Sequence, residues 1–242
     1  MDVGVIILIA VVVIALVAAA AYYAHLEAKK REEALRALAR ELGFEFEPAR
    51  DDSHDERYAQ FEVFRRGHSR YAYNTLIGTA QIDARPFPCT IGDFTYKVTR
   101  SNGKTTSTTT YRFSYLIVKL PLVAVPDLLI RRESVMDKLA GVFGFDDIDF
   151  ESSEFSRKFH VKSPDKRFAY DVVHPRMIEF LMSSHPPVID IEHGECCVTD
   201  GQSRWTPEAF RERLGWAVRF FDLWPDHLTK DLESRVRSEG RG

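Results

Sequence analysis

An α+β fold carried on one membrane-spanning helix is what three features of this 242-residue chain predict. Residues 3–26 hold no Asp, Glu, Lys or Arg, residues 44–120 alternate apolar and polar side chains, and Thr206-Pro207 opens an amphipathic helical pattern. The 45% hydrophobic and 29% charged content excludes a disordered or collagen-like chain. With 33 basic against 36 acidic side chains there is no strongly basic field, so no nucleic-acid partner is expected.

The apolar run reads VGVIILIAVVVIALVAAAAYYAHL. At about 1.5 Å per residue it spans roughly 36 Å, more than the ~30 Å hydrocarbon core, so it crosses a bilayer once. Its β-branched residues do not prevent a helix there, because the bilayer offers the backbone no other hydrogen-bond partner. Tyr22, Tyr23 and His25 fall at the interface, and Lys29, Lys30 and Arg31 follow as a membrane-surface cluster, with Arg36 and Arg40 behind. Only Asp2 is charged before the span, so the positive-inside rule places the C-terminal domain on the cytoplasmic side of the inner membrane. A cleaved signal peptide ending in the alanines at 18–21 is the competing reading, disfavoured by an amino end without Lys or Arg. Cys89, Cys196 and Cys197 form no even-numbered disulfide framework and fit a reducing compartment.

Residues 27–43 read as a charged juxtamembrane helix continuous with the span. Leu35, Leu38, Ala39 and Leu42 share a face, Glu27 and Glu32 stand four residues before Arg31 and Arg36, and Gly43 stops the helix. A leucine seam of one heptad favours a solvated helix over a coiled coil. From residue 44 the segments FEFEP, AQFEVF, RYAYNTLIG, TIGDFTYKVT and TTTYRFSYLIVKL read as antiparallel strands. Asn102-Gly103 suits a two-residue type I′ turn, which would set Phe94 opposite Tyr111.

Beyond residue 120 the pattern gives a short helix at 134–142, strands at 148–150 and 155–161, and a helix over 168–182 broken near His174-Pro175. Strands at 189–192 and 196–199 flank His193-Gly194. The last helix has Thr206 as N-cap, Pro207 in its first turn, and Trp205 with Phe210 as a hydrophobic staple. Its buried face would use Phe210, Leu214, Ala217, Val218 and Phe221, ending near Trp224-Pro225. The expected organisation is an anchor at 1–26, the charged helix at 27–43, one α+β domain at 44–225 and a fraying polar tail at 226–242. Two packed halves meeting near 121–147 are the alternative.

Three stretches resemble an uncharacterised family of bacterial single-pass membrane proteins with a cytoplasmic α+β domain. They are EALRALARELGFEFEP with RYAQFEVFRRGHSR, then KLAGVFGFDDIDFESSEFSRKFHVKSPD, then DVVHPRMIEFL. The resemblance implies architecture and location; that family has no assigned activity, so no catalytic residue is carried over.

Motifs for chemistry are incomplete. Gly67-His68-Ser69-Arg70 has Tyr71 where a nucleophile elbow needs its second glycine. Gly103-Lys104-Thr105 imitates the end of a phosphate loop whose first glycine would fall at Val98. In the acidic run from Asp146 to Glu154, a calcium loop counted from Asp147 puts Ser152 at the glycine position and Lys158 at the glutamate position. His193 and Cys196, with Cys197, His160, His174 and His185, make a poor zinc set, because adjacent cysteines on a strand point to opposite faces. No catalytic residue, metal or cofactor is therefore expected. Arg65, Arg66 and Arg70, and separately Arg131 and Arg132, are the basic spots that a partner would meet.

The function read from these features is a membrane-anchored binding or scaffolding module, with the lipid bilayer and an unidentified protein as partners. A membrane-tethered enzyme is one rival reading. A homo-oligomer formed through the anchor and its following helix is the other.

Overall fold

The computed structural model describes residues 3–82, 84–121, 125–133 and 146–239. The helix expected at 134–142 lies outside them. Helix α1 runs unbroken over Val3–Leu42, and its apolar half, of mean hydropathy 3.3, is left uncovered by the described residues. Its second half packs Leu35, Leu38 and Ala39 into the core. Gly43, at φ +70°, releases the chain into β1, Glu45–Glu47. Of the expected i,i+4 pairs, Glu32 accepts from Arg36 at 2.8 Å, whereas Glu27 accepts from Lys30 and Arg31 turns elsewhere.

Two one-turn helices, α2 (His54–Arg57) and α3 (Glu62–Arg65), precede the long strands β2 (His68–Ile82), β3 (Arg85–Ser101) and β4 (Thr106–Lys119). AQFEVF was expected as a strand; its alternation is too short to hold a ladder, and Phe61, Val63 and Phe64 instead fold over the sheet around α3. After β5 (Leu128–Arg132) come α4 (Ser153–Lys158), β6 (Phe159–Lys162), α5 (Lys166–Val172) and α6 (Pro175–Ser184). The hairpin β7 (Val188–Glu192) and β8 (Glu195–Thr199) leads to α7 (Pro207–Asp222) and α8 (Asp226–Glu239). Among the described residues the eight strands form one antiparallel sheet in the order β1-β2-β3-β4-β8-β7-β5-β6.

Several local expectations hold. His174 is extended and separates α5 from α6, with Pro175 opening the latter. Thr206 Oγ1 accepts from the Ala209 amide at 3.2 Å, and the Trp205 and Phe210 rings meet edge-on with centroids 5.6 Å apart. On α7 the buried face also takes in Phe220, fully buried, while Val218 is only partly covered.

Others need correction. Phe94 faces Phe113, not Tyr111, because β3 and β4 close two residues further on, with Ser101 opposite Thr106. The Asn102 side chain accepts the Thr105 amide at 2.9 Å, leaving Gly103-Lys104 as the central pair. Only Gly103 has positive φ there, as in a type II′ turn. The type I′ requirement is met instead at His193 (φ +51°) and Gly194 (φ +76°), where Glu192 faces Glu195. Residues 148–150 form no strand, although the Ile148 amide donates to Val161 O at 2.9 Å. Residues 153–158, in place of strand, make α4, capped by Ser152. The expected polar tail forms α8, because Leu228 and Leu232, four residues apart, both reach the core.

The sheet separates two apolar layers. On one face α1, α4, α5, α6, α7 and α8 enclose the larger cluster, including Leu76, Ile91, Leu116, Phe168, Phe210 and Phe220. On the other, α2 and α3 fold Phe61 and Phe64 over Phe94, Phe113 and Tyr115. Cys196 and Cys197 divide between the layers, as strand alternation requires.

Candidate functional site

The most heavily bonded polar centre lies where α1 enters the domain. Asp93 sits on β3 in phase with Ile91, aimed into the larger core, and is wholly buried. Arg31 reaches it from α1 with a two-pronged contact, Nε to Oδ2 at 2.7 Å and Nη2 to Oδ1 at 2.6 Å. Ser114 Oγ donates to Oδ1 at 2.6 Å and Asn74 Nδ2 to Oδ2 at 3.3 Å, so four donors surround one carboxylate. Asn74 reaches inward because β2 bulges there: Tyr73 faces Asp93 and Leu76 faces Ile91, leaving Asn74 and Thr75 in the gap with Asn74 at φ +51°. Arg31 Nη1 also donates to Trp205 O at 2.8 Å, and the Trp205 amide donates to Ser114 Oγ at 2.9 Å. The helix leaving the span, three strands and the start of α7 are thereby joined at one point.

Arg31 thus leaves the expected membrane-surface cluster. Its side chain is 15% exposed and is committed to the core. Sequence spacing hid this, because Glu27 stands where an i,i+4 partner would. The signal for Asp93 was present: a carboxylate in the inward phase of an otherwise apolar and aromatic strand. Lys30 is exposed and paired with Glu27 at 3.0 Å, and Lys29 is exposed. Among the arginines expected to meet a partner, Arg70 donates to Asp55 at 2.6 Å and to the Arg65 and Gly67 carbonyls. Arg66 stands 3.7 Å from Glu62, and Arg65 is exposed.

A second polar centre lies on the opposite face. His54 is buried among Tyr58, Phe64, Phe94 and Tyr115, and burial lowers its pKa to about 3. Its Nδ1 lies 3.4 Å from the Tyr115 hydroxyl. Asp190 on β7 is held well above the usual carboxylate range by burial, with Glu192 beside it raised for the same reason. Burial also raises the Cys196 and Cys197 thiols and pushes Cys89 to about 11, so none is an activated nucleophile. The histidines of the poor zinc set stand apart: His160 lies between Glu133 and Asp147, and His174 Nε2 contacts Leu223 O at 2.8 Å. Among the described residues no three His, Cys, Asp or Glu side chains gather as a metal site.

Two hollows open on the helical side. A groove of about 640 Å³ is floored by Phe150, Val173 and Ile178, flanked by Tyr170 and edged by Asp149, Glu151 and Glu179. A smaller cavity of about 210 Å³ lies between Phe87, Phe221 and Trp224, with Arg85, Asp226 and Lys230 at its mouth.

No family model matches the chain, and no curated protein matches it in sequence. Among solved structures the fold is similar to that of the mycobacterial trehalose monomycolate transport factor A, TtfA, at a TM-score of 0.56 and 14% identity. The match covers 79% of this chain and 92% of that one. The chain therefore shares the α+β fold of that transport factor, and near its N-terminus it has a helix long and apolar enough to cross a membrane.

Proposed function

We propose that this protein is a single-pass anchor protein of the bacterial inner membrane, whose cytoplasmic α+β domain holds a protein partner at a fixed height beside the bilayer. The observation that carries the reading is the Arg31–Asp93 centre: the helix leaving the span is not a loose tether but a buried part of the domain. A linker that served only to localise the domain would need no such junction. The cations following the apolar run support the cytoplasmic side. The three family-like stretches support the bacterial assignment, and the TtfA likeness supports a role accessory to transport.

The groove over Phe150 and Ile178 is the partner surface of this reading. Its apolar floor and carboxylate edge suit a segment carrying apolar side chains and cations. Arg65 is a further contact on the opposite face.

The test is purification of the full chain from membranes beside its Ile178→Glu variant. A membrane-bound protein should copurify with the parent and be lost from the variant, while both stay folded and anchored. Removing residues 1–26 should release the domain to the cytosol. Export of a reporter fused after Gly242, or turnover abolished by a single pocket substitution that leaves the fold intact, would overturn the proposal.

A further inference from the structure

The β3–β4 hairpin carries a surface that the anchored reading does not yet use. Between Asp93 and Asp127 the chain has no carboxylate side chain, yet it contains Lys97, Arg100, Lys104, Arg112 and Lys119. The outer half of the hairpin is otherwise mostly hydroxyl-bearing: Thr99, Ser101, Thr106, Ser107, Thr108 and Thr109 are all exposed.

The direction of the hairpin follows from its contacts with α1. Arg31 pairs with Asp93, whose carboxylate also accepts from Asn74 on β2, and Phe44, just past the end of α1, lies over Gly78. From Arg31 towards Phe44, then, the helix travels with β2 from Asn74 towards Gly78. Reversed, towards the span, the same direction follows β2 back to His68 and β3 onward from Asp93 to Ser101, because the two strands are antiparallel. The hairpin tip therefore lies on the span side of the Arg31–Asp93 junction. Five helical residues separate Arg31 from Leu26, about 7.5 Å of rise. Eight strand residues separate Asp93 from Ser101, about 27 Å. Strand twist turns the hairpin away from the helix axis, so only part of that length projects towards the membrane, enough to bring the tip to the level of Leu26.

We infer that the outer half of the β3–β4 hairpin rests in the headgroup layer of the membrane that holds α1, with its cations on the phosphates of anionic lipids. The face shared with Asp93, on which α1 lies, carries Lys97, Thr99, Ser101, Thr108, Thr110 and Arg112. That face offers donors for phosphate oxygens and no large apolar side chain for the hydrocarbon core. The tip residues Asn102, Gly103 and Lys104 are equally polar. The composition fits a headgroup contact rather than insertion. Together with α1 the hairpin makes a second support that fixes the rotation of the domain about the helix axis.

This inference rests on the anchored reading, and the experiment separates the two. The full chain carrying Thr106→Cys, labelled with a fluorophore, is placed in phosphatidylcholine vesicles containing phosphatidylglycerol and a headgroup-spin-labelled lipid. Lys230→Cys serves as the comparison, since Lys230 stands with Arg85 at the opposite end of β3. The native thiols are buried and do not compete for label. Quenching should be much stronger at position 106 than at 230, and weaker in phosphatidylcholine alone. Arg100→Ala and Arg112→Ala should each lower the docked-to-undocked ratio about fivefold. Equal quenching at both positions in a chain that resists carbonate extraction overturns the hairpin contact and leaves the anchor standing. Extraction by carbonate overturns both. Quenching at 106 that changes neither with lipid charge nor with the arginine substitutions overturns the assignment to anionic headgroups.

Discussion

The two faces of the sheet solve the same burial problem with different materials. On the α1 face α1, α4, α5, α6, α7 and α8 enclose a large aliphatic and aromatic core, and the wholly buried Asp93 is ionically paired and has four donors. On the opposite face α2 and α3, each a single turn, cover a small aromatic cluster, and the neutral His54 lies buried among its rings. The difference shows where orientation matters. A bidentate ion pair fixes angle and register, which a helix crossing from membrane to domain requires, whereas ring packing around His54 fills space with less directional demand.

Breaking the ion pair should have the largest effect. Asp93→Ala leaves the Arg31 guanidinium buried without its counter-charge and should destabilise the domain by about 3–5 kcal/mol in urea denaturation. The double variant Arg31→Met/Asp93→Leu should recover most of that loss, since apolar replacement of both partners removes the desolvation cost. Recovery of stability without recovery of partner binding would place the value of the pair in orientation. A double variant no more stable than Asp93→Ala would contradict that division.

A purely apolar deletion on the same face gives the scale. Phe221 is 6% exposed and stacks on Phe87 with centroids 5.9 Å apart. Phe221→Ala should cost about 3–5 kcal/mol. A loss under about 1 kcal/mol would mean that α7 contributes little to holding the layers together.

The opposite face should reveal itself through pH. His54 has a folded pKa lowered to about 3, so the unfolded chain takes up a proton there first. Stability from this site is complete above the ordinary histidine pKa near 6.5 and is lost as pH falls towards the folded value. Between pH 7 and pH 5 the loss should be about 2 kcal/mol. His54→Phe should flatten that portion of the profile even if its stability at pH 7 is lower. An unchanged slope would show that His54 protonates freely in the folded protein.

What the sequence made legible is what local chemistry decides. Thr206-Pro207 with Trp205 and Phe210 specifies the start of α7 within six residues, and His174-Pro175 divides α5 from α6 through a steric rule acting on one bond. The junction site was less legible because its partners come from distant segments: Arg31 and Asp93 are 62 residues apart, and Trp205 lies 174 residues beyond Arg31. Asn102 shows a subtler limit. Its identity marked the turn, but its side chain took the Thr105 amide and shifted the closing pair by two residues on β4. An even shift keeps every aromatic ring on its expected face, so the face assignment survived an error in register. Leu228 and Leu232 carried a readable i,i+4 signal, obscured by the charged residues around them.

The smallest predicted effect compares the faces at adjacent positions on one strand. Cys196 is buried in the aliphatic layer and Cys197 in the aromatic layer, with nearly equal exposure. Replacing either by Ser changes volume little and adds a hydroxyl that must find a partner. Cys196 stands between Val118 on β4 and Ile191 on β7 in the larger core, so Cys196→Ser should cost about 1–3 kcal/mol, the penalty for a buried hydroxyl left unbonded. Tyr58 packs against the layer that holds Cys197, and Asp190, directly opposite on β7, has its protonated form favoured by burial. Those groups offer a hydroxyl both an acceptor and a donor, so Cys197→Ser should cost less, under about 1 kcal/mol. The two variants share strand, backbone environment and substitution chemistry, which leaves the surroundings as the variable. Matched urea curves with equal losses would show that the aromatic layer tolerates polarity no better than the aliphatic one, and that the neutral His54 survives there only because its rings are packed tightly around it.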